Sequence, residues 1–103
     1  MWVRVCSVSE IAGEDIFGFE VSGRPVAIYN LGGKYYATEA LCTHEQANLV
    51  DGYLCDGIIE CPKHNARFEV STGKCLRRPA KVDLKTFPVK GEGGEIYIQV
   101  EGE

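Results

Sequence analysis

The sequence lacks several features that would assign it to common functional classes. Within its 103 residues no apolar run approaches the ~20 residues that a membrane-spanning helix requires. The start of the chain has no charged segment followed by an apolar one, so no signal peptide is expected. The net charge is −4 and there is no basic stripe interleaved with aromatic residues, which argues against nucleic-acid binding. These absences predict a soluble, cytoplasmic protein with no nucleic-acid or membrane partner.

Helical periodicity is also missing, because no long stretch repeats apolar residues every 3.6 positions. Most segments instead alternate apolar and polar residues, as half-buried strands do. The length fits one domain with a single modest core. The sequence therefore predicts one all-β domain. The expected strands are Trp2–Cys6, Phe17–Val21, Pro25–Tyr29, Lys34–Thr38, Tyr53–Cys55, Ile58–Glu60, Arg67–Val70, Val82–Val89 and Glu95–Val100, with an irregular segment at Leu76–Ala80.

Histidine is scarce, and both histidines follow a cysteine closely. Cys42 and His44 are separated by one residue, and Cys61 and His64 by two. Two thiolates and two imidazoles are the ligand set of a Rieske [2Fe–2S] centre, in which two His replace two Cys on one iron. A structural zinc site uses the same Cys2His2 set, although zinc fingers usually pair like with like. A disulfide between Cys42 and Cys61 would leave the histidine spacing unexplained and would need an oxidising compartment.

A hairpin signal lies between the two cysteine–histidine pairs. Asp56-Gly57 separates two short apolar segments, as in a two-residue β-hairpin. The chain would then run out and return over equal distances, at about 3.3 Å per residue. We expect this excursion to bring Cys61 back beside Cys42.

The double ligand motif, together with Ala66-Arg67-Phe68 and Thr72-Gly73, resembles the Rieske-type ferredoxins of bacterial multicomponent aromatic-ring-hydroxylating oxygenases. The likeness covers nearly the whole chain. It implies a Rieske fold over residues 1–103, an antiparallel β-sandwich base with a small inserted cluster-binding subdomain at about 41–80. It also implies one [2Fe–2S] cluster, with Cys42 and Cys61 on one iron and His44 and His64 on the other.

The resemblance implies an electron-transfer component and not an enzyme. Such a ferredoxin takes electrons from an NAD(P)H-dependent flavin reductase and passes them to a terminal Rieske non-heme iron oxygenase. Both histidines would be committed to the cluster, so no second, mononuclear iron site can be built from them. No glycine-rich dinucleotide motif stands between a strand and a helix, so the nicotinamide would bind elsewhere. Two alternatives remain open, the small Rieske subunit of a nitrite reductase-like complex and a zinc-stabilised binding module.

High-potential Rieske proteins resemble this pattern but carry extra groups around the cluster. Their additional disulfide cysteines are replaced here by Ala47 and Lys63, and their hydroxyl donors by Ala66 and Phe68. Fewer hydrogen bonds to the cluster and its thiolates stabilise the reduced state less. We therefore expect a potential near the low end of the Rieske range, at about −150 mV.

Three further cysteines lie outside the ligand motif, and the charges are distributed unevenly along the chain. Cys6, Cys55 and Cys75 are expected to be reduced and to act as small buried hydrophobic residues. Between Glu10 and Glu60 there are nine acids and two bases, whereas Cys61 to Lys90 has eight bases and two acids. Such a separation can orient a small carrier toward its partners, although it is also compatible with ordinary solvated strand faces. We expect partners to dock at the ligand-loop tips, where the imidazole edges lie.

Overall fold

The computed structural model describes residues 1–11, 13–42, 47–63, 66–77 and 83–100. Within these ranges the chain forms eleven β-strands and two single-turn 3-10 helices, which confirms the all-β prediction. The 3-10 helices are Val8–Glu10 and Leu49–Asp51. The strands are β1 (Trp2–Ser7), β2 (Asp15–Val21), β3 (Arg24–Leu31), β4 (Lys34–Glu39), β5 (Tyr53–Cys55), β6 (Ile58–Glu60), β7 (Arg67–Glu69), β8 (Cys75–Arg77), β9 (Thr86–Phe87), β10 (Val89–Glu92) and β11 (Glu95–Gln99).

The strands form three antiparallel sheets. The first has the order β1-β11-β10, the second β2-β3-β4-β9 and the third β5-β6-β7-β8. The first two sheets make the base of the molecule. The third is built around the hairpin at Asp56-Gly57, in which Cys55 is paired with Ile58 as expected. No helix in the described ranges has the length and apolar character needed to span a bilayer.

Strand β3 lies at the centre because both of its faces are buried. Val26 and Ile28 pack in a core shared with the first sheet, whereas Ala27 and Tyr29 pack in a second core shared with the third sheet. All four side chains are fully buried. A continuous apolar run is what such a two-sided strand requires. The second sheet therefore separates a purely structural core from the core that contains Cys42 and Cys61.

The single strand expected at Val82–Val89 was wrong. Val82 lies outside the described residues, and the rest contains two strands that belong to different sheets. Thr86–Phe87 pairs with β4, whereas Val89–Glu92 pairs with β11. Pro88 separates them, and its missing N–H cannot donate to a ladder. The chain uses this proline to cross between the two base sheets.

The irregular segment expected at Leu76–Ala80 was partly wrong. Cys75–Arg77 is a strand that pairs with β7 across an irregularity in the register, while residues 78–80 lie outside the described ranges.

The expected burial of the three other cysteines holds for Cys6, which is buried, but not for Cys55, which is exposed; Cys75 is half-buried. Since Leu54 points into the core, strand alternation sends Cys55 to solvent.

Candidate metal centre

The first candidate ligand loop begins directly after β4. Leu41 and Asn48 form an isolated antiparallel bridge at its base. Inside this bridge the backbone N–H of Cys42 donates to the carbonyl of Ala47 at 2.8 Å. The Asn48 side chain then accepts from the N–H of Val50 and caps the short 3-10 helix. The loop is thus closed at residue 42 and held in place by the helix that follows it.

The second candidate loop is closed in the same way. Glu60 and Arg67 are paired across β6 and β7, and the N–H of Cys61 donates to the carbonyl of Ala66 at 2.7 Å. The side chains reinforce the pair, because Arg67 Nε lies 3.0 Å from Glu60 Oε1. Each loop therefore spans six residues and starts with a cysteine whose N–H bonds to an alanine carbonyl. The hexapeptides Cys-Thr-His-Glu-Gln-Ala and Cys-Pro-Lys-His-Asn-Ala carry this signal, which the sequence analysis overlooked.

The two cysteines belong to the same buried core. Cys42 is 2% exposed and Cys61 is 0% exposed, and both belong to the core formed by β3 and the third sheet. All five cysteines lie in the described ranges and none forms a disulfide, so the alternative of a Cys42–Cys61 disulfide is wrong. Apolar side chains enclose the site, among them Leu49, Ile59 and Phe68. Both thiols therefore lie in the same apolar core, away from water.

The second loop also provides a donor to sulfur. The backbone N–H of Lys63 lies 3.4 Å from Cys61 Sγ, which is the N–H···S bond expected from such a loop. A bond of this kind stabilises negative charge on a thiolate ligand. Two thiols in one buried core, one of them with a backbone donor, fit a thiolate-bound iron.

The histidines His44 and His64 lie outside the described residues, as do Glu45, Gln46 and Asn65. The described ranges accordingly contain no group of three or more metal-ligating side chains. The set of four ligands therefore stays a prediction. Of its members, only Cys42 and Cys61 lie in the described ranges.

The positions that carry extra donors in high-potential Rieske proteins are apolar or exposed here. Ala66 and Phe68 are fully buried and have no hydroxyl, whereas Lys63 is exposed and Ala47 is half-buried. A hydroxyl donor is therefore absent at these two buried positions. The low potential stays a prediction that rests on these missing donors.

One buried polar residue beside the site was not anticipated. Tyr29 is fully buried in the same core as the two cysteines, and its hydroxyl lies 2.9 Å from Thr38 Oγ1. Burial raises the pKa of Tyr29 to about 12. Thr38 Oγ1 also donates to the carbonyl of Glu39, so the phenol joins a hydrogen-bonded chain that leads to the end of β4. The phenol stays protonated and fixes β3 against the strand that leads into the first ligand loop.

Comparison with known proteins gives the same assignment. A family model described as the Rieske [2Fe-2S] domain matches residues 1–88. The ferredoxin component of the naphthalene 1,2-dioxygenase system of Pseudomonas putida is 42% identical over 99 residues, with 96% of this chain and 95% of that protein covered. The ferredoxin component of biphenyl 2,3-dioxygenase from Rhodococcus jostii is 39% identical and covers 96% and 92%.

A solved structure is equally similar. It is described as a complex of reduced oxygenase and oxidized ferredoxin in carbazole 1,9a-dioxygenase. One of its chains has a TM-score of 0.90 and 39% identity to this protein, with 94% of this chain and 91% of that chain covered. The matches extend over almost the whole length and include both cysteine loops. The chain therefore belongs to the Rieske [2Fe–2S] domain family, and its cofactor is one Rieske-type cluster.

Proposed function

We propose that this protein is a one-electron carrier of an aromatic-ring dioxygenase system. It would receive electrons from an NAD(P)H-dependent flavin reductase and pass them to a terminal Rieske non-heme iron oxygenase. The observation that carries this proposal is the full-length similarity to a protein solved as a ferredoxin–oxygenase complex, at 39% identity and a TM-score of 0.90. The reductase is inferred from the naming of whole oxygenase systems among the relatives.

The proposed ligands are Cys42 and Cys61 for one iron and His44 and His64 for the other. When bound, the cluster would be reduced and reoxidised by one electron at a time, with one iron held by the two thiolates and the other by the two imidazoles. The chain encloses the sulfurs in an apolar core and donates the Lys63 N–H to Cys61. These contacts exclude water from the cysteine side and stabilise the negative charge of the thiolate.

We also propose that residues 1–103 form one Rieske domain, with a cluster-binding subdomain at about 41–80. The third sheet supports this division, since its four strands lie between Tyr53 and Arg77 and pair only with one another among the described strands. The similarity to ferredoxin components supports a soluble, cytoplasmic protein. The protein would carry electrons and perform no substrate chemistry, and relatives named as ferredoxin components give no support to a place in a nitrite reductase-like complex.

Reconstitution tests the proposal directly. The purified holoprotein is combined with a flavin reductase, NADH and, in separate reactions, the terminal oxygenases of the naphthalene, biphenyl and carbazole systems. We expect product formation with at least one oxygenase to depend on this protein. A matched reaction contains the His64→Ala variant, which should support no turnover. Failure of every oxygenase to accept electrons from the reduced protein would refute the proposal.

A further inference from the structure

One aromatic side chain in the third sheet is largely exposed to solvent. Tyr53 on β5 is 69% exposed, while the other aromatic residue among the exposed large side chains of the described ranges, Trp2, is 39% exposed. Trp2 is covered in part by Lys90, whose Nζ lies 4.6 Å from the centre of its ring. Tyrosine supplies a large contact area with a polar end and is enriched at protein interfaces. Tyr53 therefore marks a surface whose function the fold does not explain.

Tyr53 stands beside the second ligand loop. It is paired with Glu60, and Glu60 is paired with Arg67, so the three residues form one row across the sheet. Neighbouring strands lie about 4.8 Å apart, and Glu60 directly precedes Cys61. A protein that contacts Tyr53 would therefore also reach the base of the loop that carries Cys61.

A groove of about 230 Å³ opens next to Tyr53 on this outer face. Its lining residues are Tyr53, Cys55, Asp56, Ile58, Glu60 and Arg67. Ile58 and the phenol ring give it apolar surface, whereas Asp56 and the Glu60–Arg67 ion pair give it charged groups. Protein-binding surfaces commonly combine apolar contact area with polar groups.

The charge of this region specifies the kind of partner. From Tyr35 to Pro62 the chain contains five acidic residues and no lysine or arginine. Asp56, Glu60 and Arg67 line the groove and give it a formal net charge of −1, while the row of paired residues continues from Arg67 to Arg77. Complementary charge speeds encounter and suppresses wrong partners. A protein that docks here should present lysine or arginine side chains around an apolar residue.

We propose that the outer face of the β5–β6 hairpin, centred on Tyr53, is part of the docking surface for the terminal oxygenase. This inference rests on the proposed function and specifies where the partner contacts the chain. The oxygenase would place an apolar side chain against Tyr53 and Ile58 and a cationic side chain near Asp56. The contact surface would thus extend from the second ligand loop down the side of the third sheet.

The variants are chosen to separate apolar contact from charge. Tyr53→Ser removes the exposed ring, and Asp56→Asn removes one charge while it keeps a residue that tolerates the φ of +53° found there. The controls are Trp2→Ser and Glu14→Gln, which make similar changes outside the third sheet. Each holoprotein is assayed with the oxygenase that turns over best in the reconstitution, and its Kd for that oxygenase is measured by calorimetry.

We expect Tyr53→Ser to raise the KM for ferredoxin and the Kd about tenfold, as for an interface hot spot, while kcat at saturation is unchanged. Asp56→Asn should raise the KM about threefold at low salt, and the effect should vanish as ionic strength approaches about 1 M. Both controls should behave as the wild type. The reduction potential and visible spectrum of every variant should match the wild type, because no variant changes the cluster core.

Four results would overturn the inference while leaving the electron-carrier function intact. The first two are an unchanged KM for ferredoxin in Tyr53→Ser and an equal rise of this KM in Trp2→Ser. The third is a rise of the KM in the reaction with the reductase but not in the reaction with the oxygenase. The fourth is self-association of the wild type that Tyr53→Ser abolishes in sedimentation experiments. Loss of turnover with every oxygenase, wild type included, would instead refute the proposed function and the inference together.

Discussion

Gly73→Ala tests how the third sheet is joined to the base. Gly73 has φ +78°, and a Cβ added there would lie 2.2 Å from the carbonyl oxygen of Leu84 and 2.9 Å from Thr86 Cγ2. The glycine carbonyl accepts the N–H of Leu84 at 2.7 Å. The adjacent Asp83 carboxylate accepts the N–H of Cys75 at 2.8 Å. Two hydrogen bonds therefore tie the β7–β8 turn to the segment that enters β9.

The chain offers a matched control for the backbone conformation. Gly94 has φ +79°, and a Cβ there would meet nothing within 4 Å. Alanine at either position incurs about 1–2 kcal/mol for the left-handed conformation. At Gly73 the methyl group must also push the Leu84 backbone away, and loss of the two hydrogen bonds adds about 2 kcal/mol. We expect Gly73→Ala to cost about 3–4 kcal/mol and Gly94→Ala about 1–2 kcal/mol.

Thermal unfolding of the holoproteins measures the difference. For a domain of this size, about 2 kcal/mol corresponds to a Tm lower by about 10 °C. Far-UV circular dichroism reports the fold and visible absorbance reports the cluster, and in Gly73→Ala both should be lost at the lower temperature. Equal Tm values for the two variants would show that the close approach of Gly73 to Leu84 does not hold the sheets together.

Three further outcomes are expected. In the folded state the Tyr29 phenol stays protonated up to about pH 12, whereas in the unfolded chain it ionises near pH 10. The contribution of the protonated phenol to the free energy of unfolding is therefore full below about pH 10 and is lost as the pH rises toward 12. In melts over this range the wild type should lose up to about 3 kcal/mol relative to Tyr29→Phe, and parallel curves would exclude the burial effect. Lys63→Pro removes the N–H that donates to Cys61 Sγ. Voltammetry should show a reduction potential lower by about 40 mV, which is equivalent to about 1 kcal/mol. The control Lys63→Ala keeps the N–H and should have the potential of the wild type. His64→Ala should be purified without cluster iron or colour, whereas Cys55→Ser should retain both; an iron-replete His64→Ala protein would remove that histidine from the ligand set.

The parts of the fold that local signals encode were predictable. The Asp56-Gly57 hairpin has the expected pairing because both of its turn residues have positive φ, as this turn requires. Cys42 and Cys61 were singled out by their spacing, and the structure places both in one core, while their role as ligands stays a prediction. The hydrogen bonds from these cysteines to the carbonyls of Ala47 and Ala66 were not predicted, because the acceptor of a backbone hydrogen bond depends on loop closure and not on side-chain chemistry.

The parts that depend on which sheets pack together were not predictable in the same way. The alternation across Val82–Val89 was read as one strand, since periodicity does not say to which sheet a residue belongs. Pro88 was the available signal for the break. The burial of Tyr29 has a similar origin, because the apolar run in β3 predicts two buried faces only once a third sheet is known to cover the second face.

Protein-film voltammetry of the purified holoprotein between about pH 6 and pH 10 tests the central claim most directly. In the proposed site a Rieske cluster is bound by Cys42, His44, Cys61 and His64, with no hydroxyl donors at Ala66 and Phe68. A single redox couple that transfers one electron should then appear near −150 mV. It should be independent of pH around neutrality and fall only when the imidazoles lose protons. A couple several hundred millivolts higher would contradict the argument from the missing donors, and the absence of any couple would contradict the assignment as an electron carrier.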